Sequence, residues 1–304
     1  MTEVRSHSAS DFPLPMLQEA KGDHTISVCI PARNEEATVG TIVRAIHEHL
    51  AASGRPLVDE ILVIDDRSDD DTAAVAAAQG ATVVQVADIL PDCGPGRGKG
   101  NVLWKSVAAS HGDLIVWIDA DLTSFTPACV TGLVGPLLTD PSVAMVKGYY
   151  ERPEIGGTGG GRTTELMARP LLATLFPHLT SVRQPLGGEY AARRDILEQV
   201  PFSTGYGVET GLLIDIAALV GLDRLAQVDL GVRVHRNRPL DELSVQAMEI
   251  LHVALRRAEV EWQPEWSHVL RRPDLDAVEA LVDERPPLIT VAEYRRERRT
   301  PPGR

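Results

Sequence analysis

Between Thr25 and Asp121 the chain alternates short apolar runs with amphipathic ones, and this alternation constrains the fold more than any other feature. Thr25–Pro31, Glu60–Asp65, Ala81–Val86 and Leu114–Ile118 read as strands, each brief and mostly rich in Val and Ile. From Asn34 onward, Val39, Ile42, Val43 and Ile46 recur at helical spacing. Asp69–Gly80 reads as a helix closed by glycine, and Lys99–Ser110 as a third helix. Strands joined by helical crossovers lie parallel. The expected fold class is therefore α/β, a Rossmann-like, doubly wound, mostly parallel sheet. Ligands in such sheets sit beyond the carboxyl ends of the strands. Pro31–Asn34, Asp65–Ser68 and Asp119–Asp121 are all such ends, so the topology should gather them along one edge.

The strand at Leu114 runs straight into Asp119-Ala120-Asp121. In extended backbone, residues two apart share a face, so both carboxylates would point the same way. Such neighbours repel each other unless a cation neutralises them. Hard oxygen ligands suit Mg²⁺ or Mn²⁺, which bind through one or two carboxylates plus substrate phosphate. The plain alternative is a strand that ends in a polar turn.

A chain of 304 residues with 43% hydrophobic content can bury a full core. Its net charge of −13 argues against a nucleic-acid partner, which needs a basic face, but allows a small phosphorylated ligand in a local positive pocket. Cys29, Cys93 and Cys129 follow no pattern that indicates a disulfide framework or a zinc site. There is no signal-peptide pattern, and no apolar run approaches the ~20 residues that span a bilayer. The expectation is a cytoplasmic protein without a membrane partner.

Four regions are expected: a flexible polar arm over 1–24, a first half over 25–145, a second half over 146–240, and a C-terminal helix and tail over 241–304. In the second half Val143–Tyr150 and Ala226–Val234 read as strands, and Val208–Val220 as a strongly apolar helix. Asp241–Glu259 reads as an amphipathic helix after an Asp cap, followed by a tail rich in Pro, Arg and Glu, free or ordered against a neighbour.

Several segments carry chemistry. Pro31-Ala-Arg-Asn-Glu-Glu36 follows a strand, where Glu35 suits a ribose or base and Arg33 a phosphate; an ordinary strand-to-helix turn is the alternative. Asp66 suits a uracil N–H or a ribose hydroxyl, while Asp69–Asp71 suit a helix cap. Gly94-Pro-Gly-Arg-Gly-Lys99-Gly100 suits phosphate through its backbone N–H groups and Lys99, without Walker spacing; a flexible turn reads equally well. Gly159-Gly-Gly-Arg162-Thr163-Thr164 repeats this logic, with Arg162 able to grip an anion bidentately, and suggests a second, anionic substrate; a linker loop is the alternative. His235 ends a strand, and its imidazole suits a metal site begun by Asp121 or a merely structural place.

In this order and spacing, Pro31-Ala-Arg-Asn-Glu-Glu, Asp65-Asp66 and Asp119-Ala-Asp121 resemble the nucleotide-sugar domain of GT-A glycosyltransferases. Gly96-Arg-Gly-Lys-Gly, Gly159-Gly-Gly-Arg-Thr-Thr-Glu-Leu, Gln184-Pro-Leu-Gly-Gly-Glu-Tyr, Gly205-Tyr-Gly-Val-Glu and Val234-His-Arg-Asn-Arg-Pro are similar, more specifically, to actinobacterial glucosyl-3-phosphoglycerate synthases. That resemblance implies a retaining enzyme that moves glucose from UDP-glucose to the 2-hydroxyl of 3-phosphoglycerate. It implies a uridine pocket of Pro31, Ala32, Arg33 and Glu35, with Asp66 near the base and Lys99 along the nucleotide. Asp119, Ala120 and Asp121 form the Asp-x-Asp, with Asp121 and His235 as direct metal ligands. Leu186, Tyr206, Glu209 and Arg233 surround the sugar diphosphate, with Asp121, Glu209 and Arg233 as the catalytic set. Gly161, Arg162, Thr164 and Asn237 hold the acceptor phosphate. The first half becomes the donor half, the second the acceptor half, and the C-terminal region a contact in a homodimer. Asp66, Arg67 and Ala120 stand where relatives often carry Ser, Gly and Ser. Competing readings are another donor (GDP-glucose, GDP-mannose) or acceptor (glycerate, a lipid phosphate), a non-catalytic nucleotide-sugar sensor, and a nucleotidyltransferase.

Overall fold

The computed structural model describes residues 3–151, 161–233, 239–261 and 263–299. Its first half runs β1 (Arg5–Ser8), α1 (Leu14–Ala20), β2 (Ile26–Ala32), α2 (Val39–Ile46), β3 (Glu60–Asp65), α3 (Thr72–Ala78), β4 (Thr82–Gln85), α4 (Lys99–Ala109), β5 (Leu114–Trp117) and α5 (Ala128–Thr139). It continues through β6 (Met145–Glu151), α6 (Arg169–Leu175), β7 (Tyr190–Arg193), α7 (Arg194–Leu197), β8 (Phe202–Ser203), α8 (Val208–Val220) and β9 (Leu225–Val232). The C-terminal part holds α9 (Leu240–Arg257), β10 (Val269–Arg272), β11 (Leu275–Glu279), β12 (Glu284–Arg285) and α10 (Ala292–Arg299).

One sheet carries eight strands in the order β1-β9-β6-β7-β5-β2-β3-β4. Its pairings are parallel except where β7 runs antiparallel to β5 and β6. The expected doubly wound α/β sheet is what forms. The pleat of β5 sorts the core: Leu114 and Val116 join one apolar layer with Ile30, Val43 and Leu133, while Ile115 and Trp117 join the other with Leu103, Tyr190 and Leu212. Both faces are covered, so the strand is apolar throughout rather than alternating. Each such buried side chain stabilises the fold by roughly 1.5–3 kcal/mol.

In place of the expected flexible arm, residues 3–24 are ordered. β1 extends the sheet edge in parallel register with β9, from Arg5 opposite Ala226 to Ser8 opposite Asp229. Phe12 and Leu17 are buried, and a Cβ on Gly135 of α5 would overlap the Phe12 ring. A polar edge strand whose partner lies far along the chain has no local apolar signature. The tail is ordered against its own chain: β10 and β11 form a hairpin, β12 pairs with β8, and Leu288, Val291 and Tyr294 are buried.

Element ends differ in detail. α2 begins only at Val39, because Asn34 sits at φ 57 and uses its side chain to accept the Asp69 N–H at 2.8 Å. Among Asp69–Asp71, Asp70 takes the backbone N–H of Thr72 at 3.0 Å. Asp241 lies inside the first turn of α9, whose N-cap is Pro239, so it favours the helix dipole rather than capping it. Among the described residues, no helix is long and apolar enough to cross a membrane.

Candidate active site

Beyond the carboxyl ends of β2, β3 and β5 lies a cavity of about 800 Å³. Pro31, Ala32, Arg33 and Glu35 line it from the end of β2, and Asp66 from the end of β3. Lys99, Asp119, Ala120, Asp121 and Tyr206 complete the set of expected residues that the fold gathers there. The parallel sheet explains why segments far apart in sequence meet: their strands all end on one side.

β5 stops at Trp117, so Asp119 and Asp121 lie beyond the strand, Asp121 in a turn. The argument that they share a face therefore does not apply. Asp119 is partly buried and turned to Lys99, its Oδ1 2.8 Å from Nζ, while Asp121 is exposed at the cavity. Lys99 opens α4 after Gly98, whose φ of 89 favours glycine. Its Nζ also lies 2.9 Å from Oε1 of the buried Glu209 in α8. Burial works against the ammonium charge, but Asp119 and then Glu209 outweigh it and raise the Lys99 pKa well above its ordinary range. Behind Asp119 there is room only for backbone: a Cβ on Gly188 would overlap its carboxylate.

Gly188 reaches this place because β7 runs backwards. Tyr190 pairs with Trp117, so the turn before β7, which carries Leu186, arrives at the carboxyl edge of β5. Next to it Glu189 is fully buried and accepts from Arg233 Nη1 at 2.6 Å, while its Oε2 has no hydrogen-bond partner among the described residues. Burial pushes the Glu189 pKa up, and Arg233 offsets part of that rise. Arg233 is spent on this buried pair and on the Cys129 sulfur, 2.9 Å from Nη2. Lys147 is also buried: its Nζ donates to the Gly187 carbonyl at 2.5 Å and lies over the Tyr190 ring. Burial lowers its pKa to about 8.

Glu209 and Arg233 therefore stand behind the cavity wall. Leu186, Gly161, Arg162 and Thr164 are likewise not among the lining residues. Gly161 to Thr164 lead into a helical turn that packs against α9. His235 and Asn237 lie outside the described residues. Asp66 is engaged by its neighbour: Arg67, at φ 60, donates to Asp66 Oδ1 through Nε at 2.9 Å and Nη2 at 2.7 Å. Lys147, Glu249 and Arg285 escaped the sequence reading, and Glu189 stood in a quoted motif without a role. The one local signal was Gly187-Gly188-Glu189-Tyr190, where an acid stands before an apolar strand.

The donor set fits a hard divalent cation in its chemistry, since Asp119 and Asp121 offer carboxylate oxygens at the cavity. No group of three or more metal-ligating side chains occurs among the described residues, which leave out His235, and phosphate and water oxygens commonly complete the shell of such a cation.

Residues 27–201 match the model of Glycosyl transferase family 2. A glucosyl-3-phosphoglycerate synthase of Mycolicibacterium smegmatis is 51% identical over 246 residues, 79% of this chain and 80% of that one. One from Petrotoga mobilis is 45% identical over 291 residues, 90% and 89% of the two chains. The crystal structure of the Mycobacterium tuberculosis synthase in complex with Mn²⁺, UDP-glucose and phosphoglyceric acid superposes with a TM-score of 0.87 at 43% identity, covering 94% of this chain and 98% of that one. The chain belongs to glycosyl transferase family 2, in the group of glucosyl-3-phosphoglycerate synthases.

Proposed function

We propose that this protein transfers glucose from UDP-glucose to the 2-hydroxyl of 3-phosphoglycerate, giving glucosyl-3-phosphoglycerate, with Mg²⁺ or Mn²⁺. The observation that carries the reading is Lys99 held between Asp119 and Glu209 at a cavity whose walls include Pro31, Ala32, Arg33, Glu35 and Asp66. In relatives, Mn²⁺, UDP-glucose and phosphoglyceric acid occupy one complex, and Mg²⁺ with UDP another.

In this reading Pro31, Ala32, Arg33, Glu35 and Asp66 hold the uridine, and Lys99 steadies the diphosphate. Asp121, with His235, would hold the metal, which would supply Lewis-acid charge neutralisation to the diphosphate. Tyr206 and Leu186 border the sugar. Glu209 is tied to Lys99 and orients the sugar rather than attacking it. Arg233 acts as a positioning residue, since its guanidinium is committed to Glu189 and Cys129. Gly161, Arg162, Thr164 and Asn237 hold the acceptor phosphate, so residues 25–145 serve the donor and 146–240 the acceptor. The acceptor oxygen bonds to the anomeric carbon on the face that the diphosphate leaves. The glycosidic C–O bond breaks toward phosphate, and the departing phosphate oxygen takes the hydroxyl proton. This retains the configuration; a trapped glucosyl–Glu209 adduct would refute it.

A second reading, GDP-glucose as donor, is favoured by one observation: the Asp66 carboxylate at the cavity is an acceptor that guanine N–H groups also satisfy. The protein is further inferred to be cytoplasmic and to form a homodimer through the 241–304 region, where Val260, Trp266 and Leu275 are exposed; light scattering tests the dimer. The deciding assay is UDP release with each donor against 3-phosphoglycerate, glycerate or water, with and without chelator. Turnover that needs UDP-glucose, 3-phosphoglycerate and the metal together is expected. Turnover with another pair moves the specificity, and nucleotide binding without turnover would favour the sensor reading.

A further inference from the structure

The C-terminal segment returns across the donor cavity. Leu281 lines it, as does Glu279 at the end of β11. β12 then pairs with β8, immediately before the turn Gly205-Tyr206-Gly207. Arg285 of β12 donates to Asn101 Oδ1 at 2.8 Å and to the Cys93 carbonyl at 2.6 Å, which anchors the glycine-rich loop ahead of Lys99. Three segments that no local pattern connects thus converge: the glycine loop, the Tyr206 turn and the tail.

One carboxylate joins two of them. Glu249 of α9 is almost fully buried at the cavity wall, and its two oxygens serve different segments. Oε2 accepts the Tyr206 N–H at 2.6 Å, and Oε1 accepts the Leu281 N–H at 2.9 Å. The Tyr206 turn is flattened onto this group. A Cβ on Gly205 would overlap Glu249 Oε2, and one on Gly207 would meet the Glu249 carbonyl at 3.0 Å. A side chain at Gly205 would push the Glu249 carboxylate aside, and one at Gly207 would press on Val253 and the Glu249 carbonyl. Hydrogen bonds to an ionised acceptor are shorter and stronger than neutral ones, so a buried carboxylate sets the separation of its two donors tightly.

We propose that Glu249 is a positioning residue of the donor pocket, fastening the Tyr206 turn to the tail segment 279–285 and making that segment a wall of the pocket. Its effect reaches the nucleotide sugar through Tyr206 and Leu281, and it leaves the acceptor side untouched. The inference rests on the donor-pocket reading above.

The test compares wild type with Glu249→Gln, Glu249→Asp and Gly205→Ala, measuring UDP affinity by calorimetry and KM for each substrate. Glu249→Gln keeps one good acceptor but turns an N–H₂ toward the second N–H. Its KM for UDP-glucose and its Kd for UDP should rise roughly tenfold, the size of one lost charge-assisted bond. The KM for 3-phosphoglycerate should stay within about twofold, and Glu249→Asp should fall between wild type and Glu249→Gln. Gly205→Ala should reproduce the donor defect by displacing the same oxygen, and adding it to Glu249→Gln should cost less than the sum. Unchanged donor parameters, equal rises for donor and acceptor, or fully additive variants would overturn the proposal. If Glu249→Gln does not fold, Gly205→Ala alone decides by the same donor-against-acceptor split. Wild type that turns over while the variants behave like it sinks this inference only. Wild type that neither binds UDP nor turns over removes the donor-pocket reading, and this inference with it.

Discussion

Replacing Lys99 with Met removes the cation that two carboxylates share. Glu209 has a side-chain exposure of only 5%, whereas Lys99 and Asp119 keep 20% and 25%. Taking one partner from a fully buried pair costs about 3–5 kcal/mol, and partial exposure of this one scales that to about 2–3 kcal/mol. At about 2–4 °C per kcal/mol in a large domain, the melting temperature should fall by about 5–10 °C. A second change, Glu209→Gln on the Lys99→Met background, replaces the orphaned charge with a neutral amide and should return about 1–2 kcal/mol. Activity should not return with it, because Lys99 is also assigned to the diphosphate: kcat/KM should stay at least about 100-fold down in both variants. Urea melts give the stability cycle and UDP release gives the activity. If the two substitutions add within about 0.5 kcal/mol, the residues are not coupled and the ion-pair reasoning fails.

Arg233→Leu should destabilise by about 3–5 kcal/mol, since it strands the buried Glu189 carboxylate, and Glu189→Gln should partly rescue it in the same urea assay. Lys147 has a folded-state pKa of about 8 against an ordinary 10.5, so between those values the unfolded chain holds the proton that the folded chain has released. Wild type should therefore gain stability relative to Lys147→Met from about pH 7.5 to about pH 9.5; a loss would contradict the burial argument. Gly188→Ala should displace the Asp119 carboxylate, lowering kcat/KM by at least about tenfold while circular dichroism stays native. Near-normal turnover in that variant would show that Asp119 has room to move without consequence.

Helices α4 and α8 begin at Lys99 and Val208, where the sequence reading puts them, and strands β2, β3 and β5 lie within or close to the expected ranges. Those elements rest on local signals, namely apolar period, glycine punctuation and acid at a helix start. The carboxyl-edge cavity was legible for the same reason: once the sheet is parallel, Pro31–Glu35, Asp66 and Asp119–Asp121 must meet. Tertiary structure alone decided the rest. β7 enters antiparallel, which brings Gly188 against Asp119, and no residue of Tyr190–Arg193 announces a direction. β1 and the tail look polar and loose because their partners, β9 and β8, are distant in the chain. Nothing in the sequence pairs Arg233 with Glu189, or Glu249 with Tyr206 and Leu281. A buried charge differs from a solvated one only by the partner that compensates its lost hydration, and that partner is chosen when the chain packs.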